Sequence, residues 1–231
     1  MERREHRFIS GDWGTTTLRL RLVIADPFSI VEELETCQGI AGVHDAWKKT
    51  QEDREAFYLT VLADAVEEFD EPIEGLPIVL SGMASSSIGL RELRYASLPF
   101  AVNAPLPSSA IRPSKICPHP ITLLSGLRWE TRDVMRGEEA QVAGLILDDA
   151  LELPSEFTVI LPGTHSKHIT VEHERIVRFT TFLTGDLYEA IAHHTILKHA
   201  LGERSDVLDE GAFREGVGCG ALEPLSASLF G

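Results

Sequence analysis

Apolar and polar positions alternate most clearly over Leu18, Leu20 and Leu22, with Arg19 and Arg21 between them. That is the period of a strand with one buried face. A short apolar run, Phe8 to Ser10, precedes it, so the opening stretch reads as a β-hairpin around "GDWGTTT". Residues 43–69 are polar with a spaced apolar stripe of Phe57, Val61, Leu62, Ala65 and Phe69, which predicts a helix with one buried face. "PIVLSGMASSS" (77–87) reads as a short buried strand entering a Gly/Ser loop. Residues 99–120 are proline-rich without convincing periodicity and read as irregular. "RGEEAQVAGLIL" begins a helix near Glu138 that turns Val142, Leu145 and Ile146 inward. "FTVILPG", "KHITVEHE" and "RIVRFTTFL" are three successive strands. A helix from about Leu187 to Leu201 follows, with Asp186 and Glu189 as a capping box and Gly202 as its stop. Strand, hairpin, strands, helix, twice over, is an α/β order with mixed sheets.

The two halves echo each other. An apolar strand, "GDWGTTT" and an alternating strand occur first; an apolar strand, "LPGTHSK" and an alternating strand occur about 150 residues later. Each turn holds a Gly-Thr pair. Glycine and threonine are ordinary turn residues, so on pattern alone each turn either holds a phosphate or simply joins two strands. The chemistry of a phosphate site needs close backbone approach, free N–H groups and hydroxyls, which these residues supply. A carboxylate at the strand end, here Asp12, can hold magnesium beside phosphates, usually through water. Two such loops facing each other can clamp a nucleoside triphosphate, and phosphoryl transfer then needs little beyond a base near the acceptor hydroxyl.

Composition narrows the classes. The 231 residues are 43% hydrophobic, enough for one large core or two modest ones. The net charge of −15 argues against a nucleic-acid partner but not against small anions held by local donors. Arg128, Arg132 and Arg136 lie close together, as do Arg91 and Arg94; individually most read as solvated surface charge. "MERREHR" has no apolar region of a secretory signal, no run approaches a membrane span, and Cys37, Cys117 and Cys219 suit reduced thiols. The expectation is a cytoplasmic protein. Among the histidines, His193 and His194 are adjacent and point to different sides of their helix, so no structural zinc is expected.

These motifs together resemble a known family. "DWGTTTLR" resembles the first phosphate loop of the sugar-kinase/actin/Hsp70 superfamily. "VMRGEEAQVAGL", "LPGTHSKHI", "FLTGDLYEAIAHHTIL" and "GMASSSIGLRELRYASLPF" resemble the 2-dehydro-3-deoxygalactonokinases in particular, in order and through nearly the whole chain. The resemblance implies an α/β, two-domain actin-like (ribonuclease H-like) sugar kinase fold. It implies a sugar-binding and first-phosphate-loop domain over 1–136 and a partial nucleotide-binding domain over 137–231. The activity it implies is ATP-dependent phosphorylation of 2-dehydro-3-deoxy-D-galactonate at its 6-hydroxyl, with ATP and magnesium.

By position, Asp12 matches the acid that positions magnesium. Gly14, Thr15 and Thr16, with Thr17 adjoining, match the loop around the β- and γ-phosphates, and Arg19 matches an arginine that approaches them. Gly163, Thr164 and Lys167 fall in the second phosphate loop. "RGEEAQ" resembles the segment whose acid activates the sugar hydroxyl, which places the base at Glu138. On residue type alone Glu138 is an ordinary acid in a first helical turn; the resemblance makes it a base. Arg136 is the preferred donor to the sugar-acid carboxylate. Ser85, with Ser86 and Ser87, is a candidate for hydroxyls, and Glu92 or Tyr95 for the pocket wall. The implied partners are a small sugar acid and ATP, with no nucleic acid or membrane, and a homo-oligomer is compatible.

Two departures stand out. Where the family is expected to carry a tryptophan after Gly89, this chain has Leu90. Family members continue for several tens of residues past the point matching "FREGVGCG", which implies an incomplete second domain, an exposed sheet edge and a partial adenosine pocket. The alternatives are therefore a sugar-acid-binding remnant with impaired turnover, or a kinase for another sugar.

Overall fold

In the computed structural model, β1 (Arg7–Trp13) and β2 (Leu18–Ala25) form the expected hairpin, with Trp13 opposite Leu18. The next strand, β3 (Phe28–Thr36), carries no periodic signal in the sequence, because its side chains are mostly exposed and show no buried alternation. Its glutamates nevertheless match β2: Glu35 lies opposite Arg19 and Glu33 opposite Arg21, and each pair forms an ion pair. The single helix expected over 43–69 is two, α1 (Ile40–Trp47) and α2 (Arg54–Val66). The polar segment between them closes on itself. Trp47 Nε1 donates to Glu52 O, Thr50 Oγ1 donates to Trp47 O, and Asp53 caps α2 by accepting from Ala56 N at 2.9 Å. The buried strand and its loop appear as β4 (Ile78–Gly82) and a short 3₁₀ turn, Met83–Ser85.

The proline-rich segment is not irregular throughout. After β5 (Ala96–Ser97) it holds β6 (Phe100–Ala101) and β7 (Ser108–Ile111), both too short for periodicity to reveal, and then comes β8 (Ile121–Leu124). One sheet runs β3-β2-β1-β4-β8-β7. Within it β1, β4 and β8 are parallel and β2 is antiparallel, the strand order of the actin-like (ribonuclease H-like) fold. Ile9, Leu18, Leu20 and Leu22 from the sheet and Tyr58, Leu62 and Val66 from α2 form the first core. Leu90 is buried in that core.

Further along are β9 (Leu127–Trp129), β10 (Asp133–Met135), α3 (Glu138–Ile146), β11 (Glu156–Leu161), β12 (His165–Glu172) and β13 (Arg175–Leu183). β11 and β12 form the second hairpin, with Leu161 opposite Lys167. The sheet order is β11-β12-β13-β6, and β10-β9-β5 make a small third sheet. Ile169, Val171, Ile176 and Phe179 pack with Val142 of α3 and with Leu127 and Met135 into a second core. β11 is an outer strand, and Ile160, Phe182 and Leu183 are exposed on this sheet.

The structure describes residues 6–148, 150–199 and 209–222, and they fall into two compact units divided after Leu183. The second unit contains α4 (Gly185–His194), a 3₁₀ turn Ile196–His199 and α5 (Glu210–Leu222). α4 is shorter than the helix expected over 187–201. Thr195 leaves helical geometry, and its Oγ1 donates to Ile191 O at 2.7 Å while accepting from Leu197 N at 3.1 Å. Asp186 sits inside the first turn rather than at the cap, and Glu189 pairs with His193 instead. The expected ends at Leu201 and Gly202 lie outside the described residues. No helix among the described residues is long and apolar enough to cross a membrane.

Candidate active site

Parallel pairing of β1 with β4 sets Asp12 beside Ser81 and Trp13 beside Gly82. The carboxyl ends of these strands therefore open together, which is where ligands collect in α/β sheets. The backbone there must be glycine. Gly82 has φ +82, and a Cβ on it would lie 2.8 Å from the Trp13 carbonyl and 2.9 Å from an Asp12 carboxylate oxygen. Gly137, at φ +102, packs against Gly82 and the same Asp12 oxygen. One carboxylate oxygen of Asp12 thus faces the bare backbone of Gly82 and Gly137.

The turn after β1 is tied to α1. Gly14 N donates to Thr17 O, while the carbonyls of Gly14, Thr15 and Thr16 accept from the amides of Ile40, Ala41 and Gly39. Trp13 Nε1 donates to Gln38 O at 2.8 Å. With its carbonyls so occupied, the turn has among its remaining donors the amides and hydroxyls of exposed Thr15 and Thr16 and of partly buried Thr17.

Asp12, Gly14 and Thr15 line a cavity of about 630 Å³. Gly163, His165 and Lys167 of the second hairpin line the same cavity, together with Tyr95, Arg136 and Glu138. The two Gly-Thr hairpins and the proposed base therefore share one space. Thr16, Thr17 and Thr164 lie outside its wall. Arg19 is held by Glu35 and lines a separate cavity reached by Asp12 from its other side. Glu92 is exposed and lines another cavity with Arg94 and Arg128. Ser85 is fully buried behind the wall, where its Oγ faces Arg136 Nη1 at 3.2 Å. Leu90 does not reach the main cavity.

Arg136 is fixed on three sides. Its Nε donates to Tyr95 Oη at 2.8 Å, its Nη1 donates to Ser85 Oγ, and its guanidinium stacks 4.2 Å from the Tyr95 ring centroid. Ser86, next to Ser85, lines the cavity with 5% exposure, and its Oγ has no hydrogen-bond partner.

The two adjacent glutamates have different surroundings. Glu138 faces the cavity; its Oε2 accepts from Arg136 N at 2.9 Å and its Oε1 lies 3.9 Å from Lys167 Nζ. Burial raises its carboxyl above the ordinary range, against the opposing pull of backbone amides and Lys167, while Asp12 adds to the rise. Glu139 turns away from the cavity and folds back, accepting from Gly137 N at 2.8 and 3.0 Å. It is 3% exposed, and burial pushes its carboxyl up to about 8 from an ordinary 4.5. The folded state thus holds a proton there that the unfolded chain has lost. This group's contribution is complete below pH 4.5 and is lost as pH rises to about 8. Denaturant titrations should show stability falling across that window by up to about 1.4 kcal/mol per pH unit. Glu139→Gln should flatten the fall, and an unchanged slope would show that Glu139 is already ionised in the fold.

Asp133 and Thr181 also line the cavity, and no motif in the sequence marks either as a site residue. Their proximity comes from β10 lying against β13, which no local signal announces.

The family profile described as 2-keto-3-deoxy-galactonokinase matches residues 12–231. A Rhizobium meliloti protein assigned as a 2-dehydro-3-deoxygalactonokinase is 33% identical over 196 residues, covering 83% of this chain and 58% of the relative. The Escherichia coli 2-dehydro-3-deoxygalactonokinase is 29% identical over 221 residues, covering 94% of this chain and 67% of the relative. A crystal structure of a Sinorhizobium meliloti protein assigned the same activity superposes with TM-score 0.73 at 30% identity, over 91% of this chain and 66% of that one. The chain thus spans roughly three-fifths to two-thirds of the length of these proteins.

Proposed function

Since this chain belongs to the 2-keto-3-deoxy-galactonokinase family, we propose that it transfers the terminal phosphoryl group of ATP to the 6-hydroxyl of 2-dehydro-3-deoxy-D-galactonate. The observation that carries this reading is the Glu138 carboxyl, half-buried in a cavity walled by both Gly-Thr hairpins. A carboxylate so placed orients an acceptor hydroxyl and takes its proton as the new P–O bond forms. The phosphates are met by Gly14 and the Thr15 donors on one side and by the Gly163 turn on the other; Thr16, Thr17 and Thr164, outside the cavity wall, complete the two turns. Asp12, a carboxylate at the cavity wall with one oxygen against the Gly82 and Gly137 backbone, suits magnesium, which takes one or two carboxylates together with substrate phosphates. When bound, magnesium neutralises phosphate charge. Asp12 itself holds its position through the close approach of Gly82 and Gly137. In this proposal residues 1–136 are the sugar-binding and first-phosphate-loop domain, and residues 137–231 a partial nucleotide-binding domain.

Arg136 is the donor assigned to the sugar-acid carboxylate. Tyr95 and Ser85 hold its plane in place, so Ser85 acts through Arg136 rather than on the sugar. Ser86 takes over the hydroxyl contact, since its buried Oγ is without a partner. Ser86→Ala should raise KM for the sugar acid about 3- to 10-fold, the worth of one neutral hydrogen bond, and leave KM for ATP unchanged. Equal KM values for both proteins would remove Ser86 from the pocket.

The deciding experiment is a coupled assay for ADP release with 2-dehydro-3-deoxygalactonate. Turnover supports the kinase. Sugar-acid binding in a calorimeter without ADP release would instead mark a binding protein. Higher kcat/KM on the gluconate-derived keto-deoxy acid would reassign the epimer.

A further inference from the structure

Lys167 sits on β12 in the same inward row as Ile169 and Val171, and its residue is 7% exposed. A buried ammonium has to be paired. Lys167 Nζ donates to Val134 O at 2.9 Å and to Thr181 Oγ1 at 2.6 Å. Thr181 is its cross-strand neighbour in register on β13. The Thr181 hydroxyl donates in turn to Asp133 Oδ1 at 2.8 Å, and Thr181 N donates to Asp133 Oδ2 at 2.7 Å. Both Asp133 oxygens are therefore committed, and they fix which way the Thr181 hydroxyl points. An ammonium has three donors. Two are spent, which leaves one for Glu138, whose Oε1 is 3.9 Å away. The two anchors hold the ammonium at the cavity wall, so a phosphate would have to come to it there and compete with Glu138 for the one remaining N–H.

We propose that Lys167 is a positioning residue for Glu138 and not a ligand of the nucleotide phosphates. The Asp133–Thr181–Lys167 chain of hydrogen bonds ties β10 to β13 and presents one positive charge to the carboxyl at the start of α3. That charge and the Arg136 backbone amide hold the two Glu138 oxygens from different sides, which aims the carboxyl at the acceptor hydroxyl. The inference rests on the kinase reading above.

Steady-state kinetics with ATP and the keto-deoxy sugar acid separate the two roles. In Lys167→Met, kcat should fall roughly 100-fold with KM for ATP changed less than about twofold, the pattern of a lost transition-state contribution. Thr181→Val keeps the lysine but removes its anchor, and should lower kcat about 10-fold with the same unchanged KM. A KM for ATP raised about 10-fold or more in either variant, with kcat retained, would place Lys167 on the phosphates and overturn the proposal. A crystal structure of Lys167→Met, or of Thr181→Val should the first variant not fold, gives a readout independent of turnover. The Glu138 carboxyl should leave the Arg136 amide; an undisturbed Glu138 overturns the proposal. If the wild-type chain turns over no sugar acid, the kinase reading fails by itself, and the position of Glu138 in the variant structure still decides the role of Lys167.

Discussion

Glu138→Gln is expected to lower kcat in the ADP-release assay by about 10²- to 10⁴-fold, the usual worth of a general base. Glutamine keeps the volume and one acceptor oxygen, so the hydrogen bond from Arg136 N can persist. It cannot take a proton. Burial already disfavours the charged form of Glu138, so removing the charge should not lower the unfolding midpoint, and ATP affinity measured by calorimetry should stay near wild type. The neighbouring substitution is the control. Glu139→Gln changes a carboxyl that folds onto Gly137 N and does not line the cavity, so it should retain most of kcat. Equal losses in the two variants would mean that the start of α3 had been disturbed rather than a base removed. Unchanged turnover in Glu138→Gln would remove Glu138 from the chemistry.

The largest effect on stability is expected at Trp13. Its side chain is fully buried, packs at 5.9 Å between ring centroids with Tyr58 of α2, and donates to Gln38 O ahead of α1. Trp13→Ala should cost about 3–5 kcal/mol, the range for deleting a large aromatic from a core. That corresponds to a fall of roughly 10 °C in Tm for a chain of this size. It should also weaken ATP binding, because the same side chain anchors the strand end from which the Gly14–Thr17 turn leaves. Trp13→Phe separates the two effects. Phenylalanine keeps most of the packing and loses the Gln38 hydrogen bond, so it should lose less stability than Trp13→Ala while the turn loosens. A Tm within about 2 °C of wild type in Trp13→Ala, less than the shift from 1 kcal/mol, would contradict the burial.

The elements that could be read from sequence are those whose burial is one-sided and long. Leu18, Leu20 and Leu22 alternate with arginines because one face of β2 meets the core and the other meets Glu33 and Glu35. Val142 and Ile146 of α3 follow helical spacing because they pack on the second core. β3 and β7 escaped notice since outer strands have little buried face, and β6 since two residues make no period. The break between α1 and α2 was written in the sequence as Asp53, an N-cap with its partner three residues on, but the apolar stripe of residues 43–69 masked it.

Residue type and spacing along the chain set the chemistry available: two Gly-Thr turns, an acid at the end of the first strand, and a pair of glutamates at the start of a helix. Those are local properties, and the family resemblance adds their order along the chain. Tertiary structure decided which of them meet. Parallel pairing of β1 with β4 places Asp12 against Gly82 and Gly137, and the helical turn at α3 sends Glu138 into the cavity and Glu139 away from it. Cross-strand pairing turns Arg19 to Glu35. Packing of β10 on β13 surrounds Lys167 with Val134, Thr181 and Asp133. A charge finds its partner through contacts between residues far apart in the chain, and the spacing of residues along one strand carries no record of what lies across from it.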